Sequence, residues 1–187
     1  MNYLPRNLTF DRGVAYINGV SLLEVSKEHA TPLYVFDWDG VEQNIVEFKA
    51  AFGEETLFRY AAKAFICKEL VSLLNENNWG IDVVSGGEMA TVVSSVGSLE
   101  NTLFNGTFKT IEEINFFMKH KGGHISIDNQ NEISILEDVA AKNKIKQPVL
   151  MRINLDVGAE THPMVLTSGY DQQFGISIDV ADKALKE

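Results

Sequence analysis

From Leu57 onward, short apolar runs alternate with segments whose apolar residues recur every three or four positions. The runs predict strands at Leu57 to Ala61, Ile81 to Val84, Thr102 to Asn105, His124 to Ile127 and Pro148 to Asn154. A weaker one falls at Gly175 to Ile178 and an earlier one at Pro32 to Asp37. The helical segments between them open with readable caps. Asp39 precedes Glu42, Ser85 precedes Glu88, Thr110 precedes Glu113 and Asn129 precedes Glu132. In each, the spacing lets the later carboxylate reach back to the cap amide. The run Pro148-Val149-Leu150-Met151 lacks polar alternation, as expected of parallel strands covered on both faces.

Repeated β-α units of this kind predict an α/β fold with a parallel sheet or (β/α) barrel. A closed (β/α)8 TIM barrel takes eight strands and about 250 residues. The 187-residue chain is therefore expected to hold an incomplete barrel, strands 1 to 5 or 6, and to stop inside a helix over residues 180–187. The first 31 residues differ. Leu8-Thr9-Phe10 and Val14-Ala15-Tyr16-Ile17 flank Asp11-Arg12-Gly13, which reads as a hairpin outside the barrel. The expected organisation is a β element over residues 1–31 and a partial barrel over 32–187.

Composition narrows the function. With 45% hydrophobic and 22% charged residues, the chain can bury a core. Its 26 carboxylates against 16 Lys and Arg, a formal charge of −10, argue against nucleic acid and favour small-molecule or protein partners. Cys67 is the single cysteine and forms no intrachain disulfide; it reads as a small buried hydrophobe near a helix start. The N-terminal residues read as neither a signal peptide nor a membrane span, so no membrane partner and a cytoplasmic location are expected.

The candidate chemistry begins at Lys63, which ends the apolar run Phe58-Arg59-Tyr60-Ala61-Ala62-Lys63. Burial favours the neutral amine, and a neutral amine at the C-terminal end of a barrel strand can form a Schiff base with an aldehyde. The alternative is an edge lysine snorkelling to solvent. His120 and His124 have metal-pair spacing, but Gly122-Gly123 breaks the helix between them and no metal is expected. Ser85-Gly86-Gly87-Glu88 invites a phosphate-loop reading. The capping pattern accounts for it better and leaves both glycines structural. Lys109 reads as a group near substrate or as a solvated lysine ahead of Thr110, and no role is assigned to it.

Taken in order, Tyr60-Ala61-Ala62-Lys63-Ala64-Phe65, Gly80-Ile81-Asp82-Val83-Val84-Ser85-Gly86-Gly87-Glu88, Phe104-Asn105-Gly106-Thr107-Phe108-Lys109-Thr110, Arg152-Ile153-Asn154, Thr161-His162-Pro163 and Phe174-Gly175-Ile176 resemble diaminopimelate decarboxylase. That family belongs to the alanine-racemase-like, fold-type III pyridoxal-phosphate enzymes. The resemblance runs from about Gly19 to the C-terminus. It implies pyridoxal 5'-phosphate as cofactor, with Lys63 carrying it covalently, Asp82 beside that linkage, Arg152 beside the pyridoxal ring and His162 on a loop over the active site. It also implies decarboxylation of meso-2,6-diaminopimelate to L-lysine by a homodimer, as part of a longer enzyme. The family's glycine-rich phosphate strand, pyridine-nitrogen glutamate and C-terminal β domain have no counterpart in these residues.

Phe65 stands where many relatives have asparagine and others phenylalanine, which marks a subgroup; Leu166-Thr167-Ser168 stands where relatives often show Ser-Thr-Gly, a change that bears on the loop's reach toward substrate and leaves the substrate less secure than the cofactor. Two alternatives stay open. One is a decarboxylase of ornithine, arginine or a carboxylated polyamine on the same fold. The other is a catalytically silent truncated barrel that self-associates through its open sheet edge.

Overall fold

Two turns with positive backbone φ fold the start of the chain into an antiparallel meander. Strands β1 (Leu8–Asp11) and β2 (Val14–Ile17) pair Leu8 with Ile17 and Asp11 with Val14. Arg12 and Gly13 between them take φ of 46° and 82°, the two positive values of a type I′ turn. Asn18 and Gly19 repeat the device at 50° and 78° and bring in β3 (Val20–Ser21), a strand that the apolar pattern does not predict. Ser21 then caps α1 (Leu22–Glu28) by accepting the Glu24 N–H. The computed structural model describes residues 4–155, 174–178 and 181. The chain divides into two compact units, Met1–Thr56 and Leu57–Glu187.

Helix α2 (Trp38–Phe52) closes the first unit. Its cap is Asp37, not the expected Asp39, which lies inside the first turn. The Asp37 carboxylate accepts the Gly40 N–H at 3.0 Å and the side-chain amides of Asn7 and Asn18 at 2.9 and 2.8 Å. One carboxylate thus satisfies a helix start and ties it to the meander. The strand expected at Pro32 to Asp37 does not form. A strand needs a neighbour for its ladder, and none among the described residues pairs with this segment, in which Tyr34 is fully exposed.

In the second unit β4 (Arg59–Ala61), β5 (Gly80–Val83), β6 (Thr102–Phe104), β7 (His124–Ile127) and β8 (Val149–Met151) form a five-stranded parallel sheet in sequence order. Helices α3 (Lys68–Glu76), α4 (Gly86–Val96), α5 (Ile111–Lys119) and α6 (Asn131–Asn143) make the four crossovers. This is the winding of a partial (β/α) barrel. At Arg152 the edge strand passes into β9 (Ile153–Asn154), which pairs in parallel with β10 (Ile176–Ser177). Arg152 itself joins the two sheets, donating its N–H to Ile127 O at 2.9 Å and accepting from Ile176 N at 2.8 Å. The helix expected over residues 180–187 lies, apart from Ala181, outside the described residues.

Alternation along the strands sorts the two faces of the sheet. Ile81, Val83, Phe104 and Ile125 share one face and are buried, as are Val71, Leu74, Met89, Val92 and Phe117 from the helices. Burying each such side chain is worth about 1.5–3 kcal/mol. Ala61, Asp82 and Leu103 lie in register on the other face. That face points into the barrel, and its polar groups form the site.

Of the expected caps, Thr110 and Glu113 make a complete capping box. Ser85 accepts the Glu88 N–H, but Glu88 turns one residue further back, to the Val84 N–H at 2.7 Å. Asn129 is not a cap. Helix α6 starts at Asn131, and Glu132 spends its carboxylate on the Asp128 N–H and on Lys109.

Candidate active site at the strand ends

Strand β4 ends in a single 3-10 turn, Ala62–Ala64, that carries Lys63. The turn buries Ala62 and leaves Lys63 exposed, so the amine ending the apolar run is not itself buried. Lys63 makes no hydrogen bond or ion pair among the described residues. Tyr60 braces the turn by donating its hydroxyl to Phe65 O at 2.8 Å, and burial raises the pKa of that phenol.

Asp82 sits on β5 opposite Ala61 of β4, one strand across from the Lys63 turn. Its carboxyl is held above the usual carboxylate range, chiefly by burial. The Asn105 hydrogen bond, the Lys63 ammonium and the Arg59 guanidinium pull it back down, while the Glu88 charge pushes it up. One Asp82 oxygen accepts from Asn105 Nδ2 at 3.4 Å, and the other, Oδ1, is buried with no hydrogen-bond partner. A buried carboxylate oxygen without a donor is costly.

Arg152 closes the far side. Its Nη1 donates to Asp128 Oδ1 at 2.9 Å, and its guanidinium lies 4.6 Å from the centroid of Phe174. Gly175 follows at φ 81°, where a Cβ would lie 2.9 Å from Arg152 O, so only glycine lets this backbone pass so close. Asp128, two residues past Ser126 at the end of β7, is a site residue that the sequence reading missed. Its signal is positional: Asn105, Asp128 and Arg152 each follow by two residues a position on the inner face, at Leu103, Ser126 and Leu150.

Lys109 is also corrected. It is not solvated: its side chain has 0% exposure, and Nζ donates to Gly106 O at 2.8 Å and to both Glu132 oxygens at 3.0 Å. Cys67, the N-cap of α3, is half-buried rather than buried, and its side chain accepts no cap bond. His162 and the Leu166-Thr167-Ser168 segment lie outside the described residues.

The donor set suits a pyridoxal group at its aldehyde end. Lys63 offers a free amine, the unpartnered Asp82 oxygen lies within electrostatic reach of it, and Arg152 offers a fixed cation. The start of α4 does not suit the phosphate, because the Gly86 N–H is already taken by Glu113 Oε1 at 2.8 Å. Gly86 is structural, as its place in the first turn of a capped helix predicts.

Comparison with known proteins agrees with this chemistry. The family model for "pyridoxal-dependent decarboxylase, pyridoxal binding domain" matches residues 39–187. Diaminopimelate decarboxylase of Mycobacterium bovis is 37% identical over 178 residues, covering 95% of this chain and 40% of that protein. The Mycobacterium leprae enzyme is 38% identical, with 95% and 38% covered. The crystal structure of diaminopimelate decarboxylase from M. jannaschii in complex with L-lysine superposes with a TM-score of 0.85 at 29% identity, over 97% of this chain and 44% of that one. The chain thus spans about 40% of the length of the curated relatives it matches. The cofactor is pyridoxal phosphate, and the chain belongs to the pyridoxal-dependent decarboxylase family, residues 39–187 matching its pyridoxal-binding domain.

Proposed function

We propose that this chain supplies the cofactor-binding barrel of a decarboxylase that converts meso-2,6-diaminopimelate to L-lysine. One observation carries the reading: the free Lys63 amine at the end of β4 lies within electrostatic reach of Asp82, whose buried oxygen has no donor of its own. The 37% identity to a diaminopimelate decarboxylase across nearly the whole chain supports the substrate.

Pyridoxal phosphate, when bound, supplies the electron-withdrawing ring that takes up negative charge at the substrate α-carbon as carbon dioxide leaves. The protein's part is orientation and charge. Lys63 holds the group at the strand end. Asp82 stabilises positive charge at the Lys63 nitrogen and fixes its direction. Arg152, held by Asp128 and Phe174, presents a rigid cation on the opposite side. His162 is kept as a substrate-side candidate on the family resemblance alone, and the enzyme works as a cytoplasmic homodimer. Among the described residues no helix is long and apolar enough to cross a membrane, and the exposed Val149 and Leu150 on β8 suit further covering protein.

Carbon dioxide release from meso-diaminopimelate by the full-length enzyme tests the reading. Turnover of ornithine or arginine in preference to diaminopimelate would contradict it.

A further inference from the structure

Lys109, in the loop before α5, and Glu132, in the first turn of α6, form an ion pair with side-chain exposures of 0% and 9%, and the cofactor reading uses neither residue. Such a pair is a poor way to gain stability, because desolvating both charges offsets their attraction. Its partners show what it does instead. Lys109 Nζ holds the carbonyl of Gly106, while the N–H of Gly106 is held by Asn105 Oδ1 at 2.9 Å. Asn105 is the residue that bonds Asp82. On the other side Glu132 Oε2 accepts the N–H of Asp128 at 2.8 Å, and Asp128 holds Arg152. Gly106 has φ of 114°, so its peptide planes have a direction that other residues rarely adopt. One hydrogen-bonded chain therefore runs from Asp82 to Arg152 through Asn105, Gly106, Lys109, Glu132 and Asp128.

We propose that Lys109 and Glu132 are positioning residues that set the Asp82 arm and the Arg152 arm of the cofactor site against each other. The inference rests on the cofactor reading above. Neither residue is assigned a contact with the cofactor. Lys109 orients the Asn105–Gly106 turn, Glu132 orients the Asp128 backbone, and the pair fixes the spacing of the two arms. Its confinement to a buried site gives it one geometry where a surface pair would sample many.

Two double variants of the full-length protein separate positioning from stability. Lys109→Met with Glu132→Leu removes both charges at similar volume and releases both arms. Lys109→Met with Glu132→Gln keeps an acceptor for the Asp128 N–H and releases only the Asp82 arm. Both are measured well below their melting temperatures, by pyridoxal phosphate titration and by the absorption band of the bound cofactor. The Leu variant is expected to bind about tenfold more weakly and the Gln variant about threefold more weakly, each with a displaced band. Folded variants with wild-type affinity and band overturn the proposal, as does weakening that only tracks the unfolded fraction. Should the Leu variant not fold, the Gln variant decides by the same criterion. Wild-type protein that takes up no pyridoxal phosphate contradicts the proposed function itself, and this inference with it.

Discussion

Asp128 accepts a 2.9 Å hydrogen bond from Arg152 while only 2% of its own side chain reaches solvent, against 30% for the arginine. The two partners therefore have unequal recourse to water. Arg152→Met leaves a buried carboxylate with its charge uncompensated, at a cost of about 3 kcal/mol or more. Asp128→Ala leaves an arginine that can turn outward, at about 1 kcal/mol. Urea denaturation of both variants checks this asymmetry, and equal costs would contradict it.

Asp82 makes the folded protein pH-sensitive in a definite direction. Burial raises its pKa above the unfolded value, so the folded chain binds the proton more tightly. Its stabilising contribution is full below the ordinary aspartate range and is lost as pH rises through the raised value. Once ionised, the half-satisfied carboxylate is a net cost in the cofactor-free protein. Asp82→Asn is expected to be more stable than wild type by about 1 kcal/mol at neutral pH, with the difference gone near pH 3. A variant less stable than wild type at pH 7 would refute the account of Asp82 as a destabilised site group.

Thr110 and Asn129 have the same spacing to a glutamate, but only Thr110 caps a helix. Thr110→Ala is expected to cost about 1–2 kcal/mol, and Asn129→Ala less than about 0.5 kcal/mol. Thermal unfolding of the pair distinguishes them.

That contrast shows where the sequence was legible. Strands β5, β6 and β7 could be placed within a residue because each is an apolar run closed by polar residues, and a run pointing into two covered faces has few other fates. Lys63 is legible as the polar residue that ends its apolar run, whereas Asp82, inside β5, and Arg152 are singled out only by the family resemblance. Glu132 was misread because a capping box and a site carboxylate share one spacing, and only the partner brought in from Lys109, 23 residues away, tells them apart. Asp39 was mistaken for Asp37 because two aspartates flank Trp38 and either could start the helix. Strand β3 was overlooked although Asn18-Gly19 is a strong hairpin signal. The segment from Pro32 to Asp37 has strand composition without a partner, and pairing is a property of two segments that one cannot reveal.

The proposed roles of Asp82 and Arg152 depend on that of Lys63, proposed as the amine that carries the cofactor. Incubation of the protein with pyridoxal phosphate, reduction with borohydride and peptide mapping test it directly. Label is expected on the peptide containing Lys63 and is expected to be lost in Lys63→Ala. Label spread over many lysines and unchanged in that variant would contradict it.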